Sequence, residues 1–357
     1  MRALAALGGV VLIALMLAEF FVTFVLPRRV RRDPRIARGL TLLLWRPWRA
    51  VARRLSATSA DTLLGFFGPL ALLFQLIVWA LGLLIGYALL EWAAAGGSFA
   101  DQVLTSSGLF LSAGAASGSY WSRLISLLEA ATGVGVLFSV IGYLPSVYGS
   151  FSRREIAVSQ LGTRAGSPPA AGAILCRAAR RERWRELEQD LRAWEEWVAE
   201  LMETHLSYPI LGYYRSQHVN QNWLAALTAM VDVAAFVTAV EEEGESEAAE
   251  ITYAIGRHAL SDLALQYRVR HAQSDRLSAD DFDRLYGAVE EAATRPVARE
   301  EARRRLMELR ADYEPKAQGL AELLALELPP WLREEDKELL VRLPGLRVGG
   351  YGRDLVG

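Results

Sequence analysis

Three long stretches of the chain are almost free of polar side chains, and charge bounds each of them. Ala3 to Leu26 holds Glu19 as its one ionisable residue, Leu63 to Leu90 has Gln75 as its one strongly polar side chain, and Leu124 to Tyr148 carries Glu129 near its start. At about 1.5 Å per residue, each run is long enough as a helix to cross a hydrocarbon layer of about 30 Å. The pattern predicts three transmembrane helices. The first run ends in Pro27-Arg28-Arg29-Val30-Arg31-Arg32. It outlasts the apolar core of a secretory signal, lacks a small-residue cleavage site and meets a stop-transfer cluster, so it reads as a retained helix.

Between the second and third runs, Phe99, Val103, Leu104, Leu109, Phe110 and Leu111 recur, and Ser112-Ala113-Gly114-Ala115-Ala116-Ser117-Gly118-Ser119 follows them. Two arrangements fit. A short helix can dip into the membrane and return through the small residues, which requires protein or water to satisfy the backbone there. The same pattern also suits an amphipathic helix on the outer surface with a Gly/Ser turn.

The second half has a different rhythm. Gly162 to Gly172 reads as a linker bearing Gly, Ser and Pro, and nearly every later segment reads as an amphipathic helix. Trp184, Leu187, Leu191, Trp194, Val198, Leu201 and His205 alternate steps of three and four, a seam that either pairs subunits or packs within its own domain. Ser278 with Asp281 forms a capping box ahead of Phe282 and Leu285. Trp223 to Val240 is apolar apart from Asp232 and two threonines. Its alanines, its central Asp and its polar flanks favour a buried helix of a soluble domain over a fourth span.

Charge then orients the spans. Ten arginines lie from Arg28 to Arg54, whereas little positive charge precedes Arg123 in the segment after the second span. The positive-inside rule predicts an outer N-terminus, an outer Glu91 to Arg123 segment and a cytoplasmic C-terminal domain. The fold class expected is an all-α membrane protein: three transmembrane helices, a pore-loop hairpin between the second and third, and a soluble helical cytoplasmic domain. Its divisions read as 1–27 for the first helix, 28–62 for an Arg-rich cytoplasmic linker and 63–150 for the hairpin unit. They continue as 151–172 for a linker, 173–328 for the helical domain and 329–357 for a tail.

Composition narrows the chemistry. The 357-residue chain is 52% hydrophobic with a net charge of -2, a balance that gives no nucleic-acid signature. Cys176 is the only cysteine, and the four histidines have no metal-ligand spacing. No nucleophile and base pairing, phosphate loop or dinucleotide fingerprint is legible, so neither an enzyme nor a cofactor is expected. Glu19, an ionisable group inside a span, marks either a functional site or a hydrogen bond that holds the bundle together. Pro145 either kinks the third helix or ends it.

Phe24-Val25-Leu26-Pro27-Arg28-Arg29, Ser107-Gly108-Leu109-Phe110, and the stretch from Leu128-Glu129-Ala130-Ala131-Thr132-Gly133 through Ile141-Gly142-Tyr143-Leu144-Pro145 carry a resemblance. In them the chain resembles the two-helix pore unit of the bacterial potassium channel family. The likeness implies a homotetramer in the plasma membrane, passing potassium or sodium through a path lined by Ser112, Ala113, Gly114, Ala115, Ala116, Ser117 and Gly118. It implies pore-helix and gate roles for Ser107, Gly108, Gly142 and Pro145, and a structural role behind the filter for Glu129. The filter itself departs from the family pattern Thr-x-Gly-Tyr-Gly-Asp: at most Gly114 matches and the Tyr is absent. Glycines there admit the backbone angles that turn successive carbonyls toward the ion. A scaffold or sensor that uses the channel fold only as an anchor is the other reading.

Overall fold

The computed structural model describes residues 1–25, 36–111, 119–179, 181–218 and 220–341. Among these residues the protein is all-helical, without a strand; an isolated bridge pairs Glu241 with Pro296. The helices are α1 (Arg2–Phe20), α2 (Ile36–Ala52), α3 (Ala57–Ala95), α4 (Phe99–Phe110), α5 (Tyr120–Ala165), α6 (Ala171–Ala178), α7 (Arg181–Ser207), α8 (Trp223–Val240), α9 (Glu247–Tyr267), α10 (Ala279–Val289), α11 (Arg299–Leu324) and α12 (Glu334–Val341). Two compact units divide the chain: Met1–Ser152 with Ile210–Arg215, and Arg153–Pro209 with Ser216–Gly357.

In the first unit α1 and α5 both run antiparallel to α3. Small residues set the α1–α3 contact: a Cβ on Gly9 would lie 2.7 Å from Gly86 O, and one on Gly82 would lie 2.5 Å from Met16 Sδ. Gly82 and Gly86 form a small-xxx-small step, which lets helix backbones approach where lipid removes the hydrophobic drive for association. Farther along, Phe24 packs against Trp79 at 5.2 Å and Tyr143 at 3.9 Å between ring centroids. Leu7, Leu73, Leu81, Leu127, Phe138 and Ile141 are all exposed, an apolar surface that water would not tolerate over such an extent. Together with the lengths of α1, α3 and α5, that surface identifies a membrane protein.

The segment read as an Arg-rich linker contains α2, whose Trp45 is buried against Phe67 and Tyr213 at centroid distances of 4.7 and 5.1 Å. The Trp48 indole N–H donates to Leu63 O at 2.8 Å, which sets α2 at the Ala57 end of α3. Ile210–Arg215, expected within the soluble domain, belongs to this unit because its tyrosines complete the same aromatic cluster.

The second unit buries α8 among α6, α7, α9 and α11, with every α8 side chain but Thr238 inside. This helix is long and apolar enough to cross a membrane, yet its own unit encloses it, and Asp232 finds its partners there. Arg276 grips its carboxylate at 2.9 and 2.8 Å and the Tyr313 hydroxyl donates at 2.6 Å. Arg276 in turn meets Glu314 at 2.9 Å. A buried carboxylate with this many donors is compensated, whereas in hydrocarbon it would face several kcal/mol of desolvation. The seam from Trp184 to His205 is an internal face: all seven side chains are buried, and Thr252 of α9 donates to Leu191 O at 2.9 Å. Of the expected capping box, the serine half is seen, with Asp281 N donating to Ser278 Oγ at 3.1 Å.

Three boundaries differ from the sequence expectation. The predicted linker 151–172 is helical to Ala165 and again from Ala171, since a single Gly162 does not break an otherwise favourable helix. The tail predicted from 329 belongs to the core, because Trp331 and Leu332 are buried and α12 follows them. Pro145 does not end its helix, as α5 continues for twenty residues beyond it to Ala165.

His205 is buried beside Trp223, with Nε2 3.3 Å from Arg154 Nη1 and Nδ1 2.8 Å from Leu201 O. Since the guanidinium can only donate, Nε2 accepts and Nδ1 carries the proton given to Leu201. Burial first, and the Arg154 charge second, push His205 down to about 3. Folding therefore keeps it neutral while the unfolded chain takes up a proton below about pH 6.5, so its contribution is complete above that value and fades as pH falls. We expect the stability advantage of wild type over His205→Gln to shrink by about 2 kcal/mol between pH 7 and 5. Chemical unfolding followed by circular dichroism at the two pH values measures it.

Candidate functional site

The candidate site is built where α4 enters between α3 and α5. Gly96, Gly97 and Ser98 separate α3 from α4, and the two glycines have φ values of +77° and +81°, a left-handed region that glycine enters freely. The chain thus reverses tightly at the end of α3. The Trp92 indole donates to Gly97 O at 3.1 Å and the Gln102 amide donates to Gly96 O at 3.0 Å, fixing the reversal.

Two buried carboxylates then organise the helices. Glu91 of α3 accepts from Ser122 Oγ at 2.6 Å and from Ser126 Oγ at 2.9 Å, both on α5. Glu129, one turn beyond Ser126, accepts from Ser106 Oγ of α4 at 2.5 Å. Its second oxygen is buried without a hydrogen-bond partner among the described residues. The Tyr87 hydroxyl closes the row on Thr132 Oγ1 at 2.7 Å. Ser122, Ser126 and Glu129 lie at steps of four and three, so a single face of α5 presents all three toward α3 and α4.

Depth follows from register. Ser106 Oγ also lies 3.5 Å from Leu84 O, and Leu84 is about 9 Å inside the Leu90 end of the second apolar run at helical rise. At Gly133 an added Cβ would run into the carbonyl of Phe110, the last residue of α4. Gly133 is about 14 Å inside the Leu124 end of the third run. The C-terminal half of α4 therefore lies level with residues about 9–14 Å inside the two apolar runs. A helix C-terminus carries the negative end of its dipole and unpaired carbonyls, an environment that favours a cation over an anion.

Of the residues singled out from sequence, Glu129 lies in this cluster, while Ser107 and Gly108 lie on α4 with no bond to it among the described residues. Ser107 Oγ donates only along its own helix, to Val103 O at 2.7 Å. Gly142 and Pro145 lie more than two turns farther along α5, and a Cβ on Gly142 would meet open space. Glu19 is buried on α1, a separate location from the α4 cluster. Ser112, Ala113, Gly114, Ala115, Ala116, Ser117 and Gly118 lie outside the described residues.

Sequence reading passed over Glu91, Ser106, Ser122 and Ser126. A carboxylate at a span end looks like a solvated boundary, and isolated serines carry no signal until a partner helix is known. The spacing of Ser122, Ser126 and Glu129 on one helical face was the available clue. Comparison of the chain with protein-family models, curated proteins and solved structures finds no match.

The paired roles of Ser106 and Ser107 make a direct test. Ser106→Ala removes the donor to a buried carboxylate and is expected to lower stability by about 1–3 kcal/mol. Ser107→Ala, which removes only an intrahelical bond, is expected to stay within about 0.5 kcal/mol. Unfolding midpoints of the purified variants in detergent measure both.

Proposed function

We propose that four copies of this chain assemble into a pore-loop cation channel related to the bacterial potassium channels, with α4 as pore helix, the 112–118 loop as filter and α5 lining the path. The depth of α4 carries this reading. A helix lying on the outer surface would not bring its last carbonyl against Gly133, halfway along the third apolar run. The negative end of α4 then points into the layer a cation must cross, where it offsets part of the lost hydration.

Assembly is supported by coverage. Only 17% of the most apolar window of α5 is buried within its own chain, against 39% for α3, so α5 is the helix with most surface left to meet other copies. One two-helix unit cannot enclose a path for an ion. Arginine distribution supports an outer N-terminus and a cytoplasmic second unit in the plasma membrane. Cysteine labelling reads this orientation: a thiol at Ser98 is expected to react from outside and one at Ser246 only from the cytoplasm, and the opposite pattern reverses the topology.

Filter composition sets the expected selectivity. With at most one glycine in family register and no filter Tyr, stacked carbonyl rings are replaced by a wider, partly hydrated path in which the Ser112 and Ser117 hydroxyls stand in for some ligands. Purified protein in liposomes is expected to pass potassium and sodium at rates within about tenfold of each other, about 1.4 kcal/mol of discrimination. Strong potassium selectivity overturns this account of the filter, and a purified monomer or dimer overturns the channel. The same departure supports the second reading, a non-conducting scaffold or sensor. Silence from intact tetramers, both of wild type and of a variant with residues 113–117 rebuilt to the family filter, decides for it.

A further inference from the structure

The first unit holds a second built feature at the opposite end of α3 and α5 from the carboxylate cluster. Leu72 of α3 and Leu144, Val147 and Phe151 of α5 wall an apolar slot of about 420 Å³. Tyr148, Tyr214 and Arg215 also line it. This volume falls in the range of about 300–1,000 Å³ that holds small-molecule ligands. The slot straddles an edge: the second apolar run begins at Leu63 and the third ends at Tyr148, so its leucines and valine lie inside the apolar layer while Arg215 lies at its limit.

We propose that this slot binds an anionic glycerophospholipid, one acyl chain lying between α3 and α5 and the headgroup phosphate meeting Arg215. The proposal rests on the membrane placement of α3 and α5 and is independent of conduction. Charge complementarity selects the occupant. The walls are mostly apolar, and the Arg215 guanidinium at the edge, whose five donors exceed what one carboxylate takes up, can also donate to an anion on an apolar tail. Burial lowers Arg215 to about 10 while Asp61 acts in the opposite direction, so the guanidinium remains charged at neutral pH. Tyr148 and Tyr214 supply rings with a polar tip, the chemistry enriched at the headgroup level. Arg46 and Arg49 belong to α2, which Trp48 ties to this end of α3, and basic residues near a headgroup level favour anionic over zwitterionic lipid. A larger hollow of about 530 Å³ between α1 and α5 has hydroxyls from Thr132 and Ser139 but no charged side chain, so it offers no headgroup selection.

Gly65 gives a clean probe, because a Cβ there would have only Arg215 Cβ nearby, at 4.0 Å, so a leucine side chain extends into the slot. Full-length protein, delipidated in detergent, is titrated with phosphatidylglycerol and with phosphatidylcholine of the same chains, and bound lipid is read by native mass spectrometry. Wild type is expected to retain phosphatidylglycerol about tenfold better. Gly65→Leu is expected to lose at least about tenfold of that retention with its helical circular dichroism unchanged. Arg215→Gln is expected to bring the two lipids to parity. Gly135→Leu, in the uncharged hollow, is expected to change nothing. Equal retention of both lipids by wild type, or full retention by Gly65→Leu, overturns the proposal, as does complete displacement of the lipid by inorganic phosphate alone. Flux failure with lipid binding intact counts only against the channel, and loss of binding with flux intact counts only against the lipid site.

Discussion

A carboxylate in an apolar environment must be given donors, and the membrane unit is arranged around that requirement. Glu91 and Glu129 draw three serine hydroxyls from two helices toward α3 and α5. The Ser122 and Ser126 bonds tie α3 to α5, and the Ser106 bond ties α4 to α5. The same packing sets Phe110, the last residue of α4, against Gly133 of α5. Glu129 and Gly133 are residues of α5 that meet α4.

The second unit answers the same requirement differently. Asp232 is as deeply buried as Glu129, but it is met by a guanidinium, a tyrosine hydroxyl and, through Arg276, a further carboxylate. Full pairing makes the α8 core a place where a charge is kept, at the expense of any mobility. The single serine on Glu129 leaves one oxygen buried without a partner among the described residues, a lighter restraint than the one on Asp232. His205 follows the Asp232 pattern: Arg154 and Leu201 fix its tautomer and hold it neutral, which makes it a structural clamp.

Chain order adds one more device. After α7 the chain contributes Ile210–Arg215 to the membrane unit and then returns to the second unit. Tyr213 joins the Trp45 and Phe67 cluster, and Tyr214 lies so close to Gly68 that a Cβ there would sit 2.5 Å from its ring. Segments of the two units are therefore tied by sequence as well as by α5, and the same insertion supplies the cation and a ring that line the slot between α3 and α5.

The sequence by itself determined the three apolar spans, the helical class, the heptad face of α7 and the cap at Ser278, because each rests on local periodicity or local hydrogen bonding. It also favoured a buried helix over a fourth span for Trp223 to Val240, a helix that its own unit encloses and that is long and apolar enough to cross a membrane. What it left open was whether 99–111 lies on the membrane or enters it. That choice depends on Leu84, Glu129 and Gly133, residues distant in the chain whose effect exists only once α3 and α5 are side by side. The insertion of Ile210–Arg215, the folding of the tail around Trp331 and the continuation of α5 past Pro145 were hidden for the same reason. Periodicity reports which face of an element is apolar, and only tertiary packing decides what that face meets.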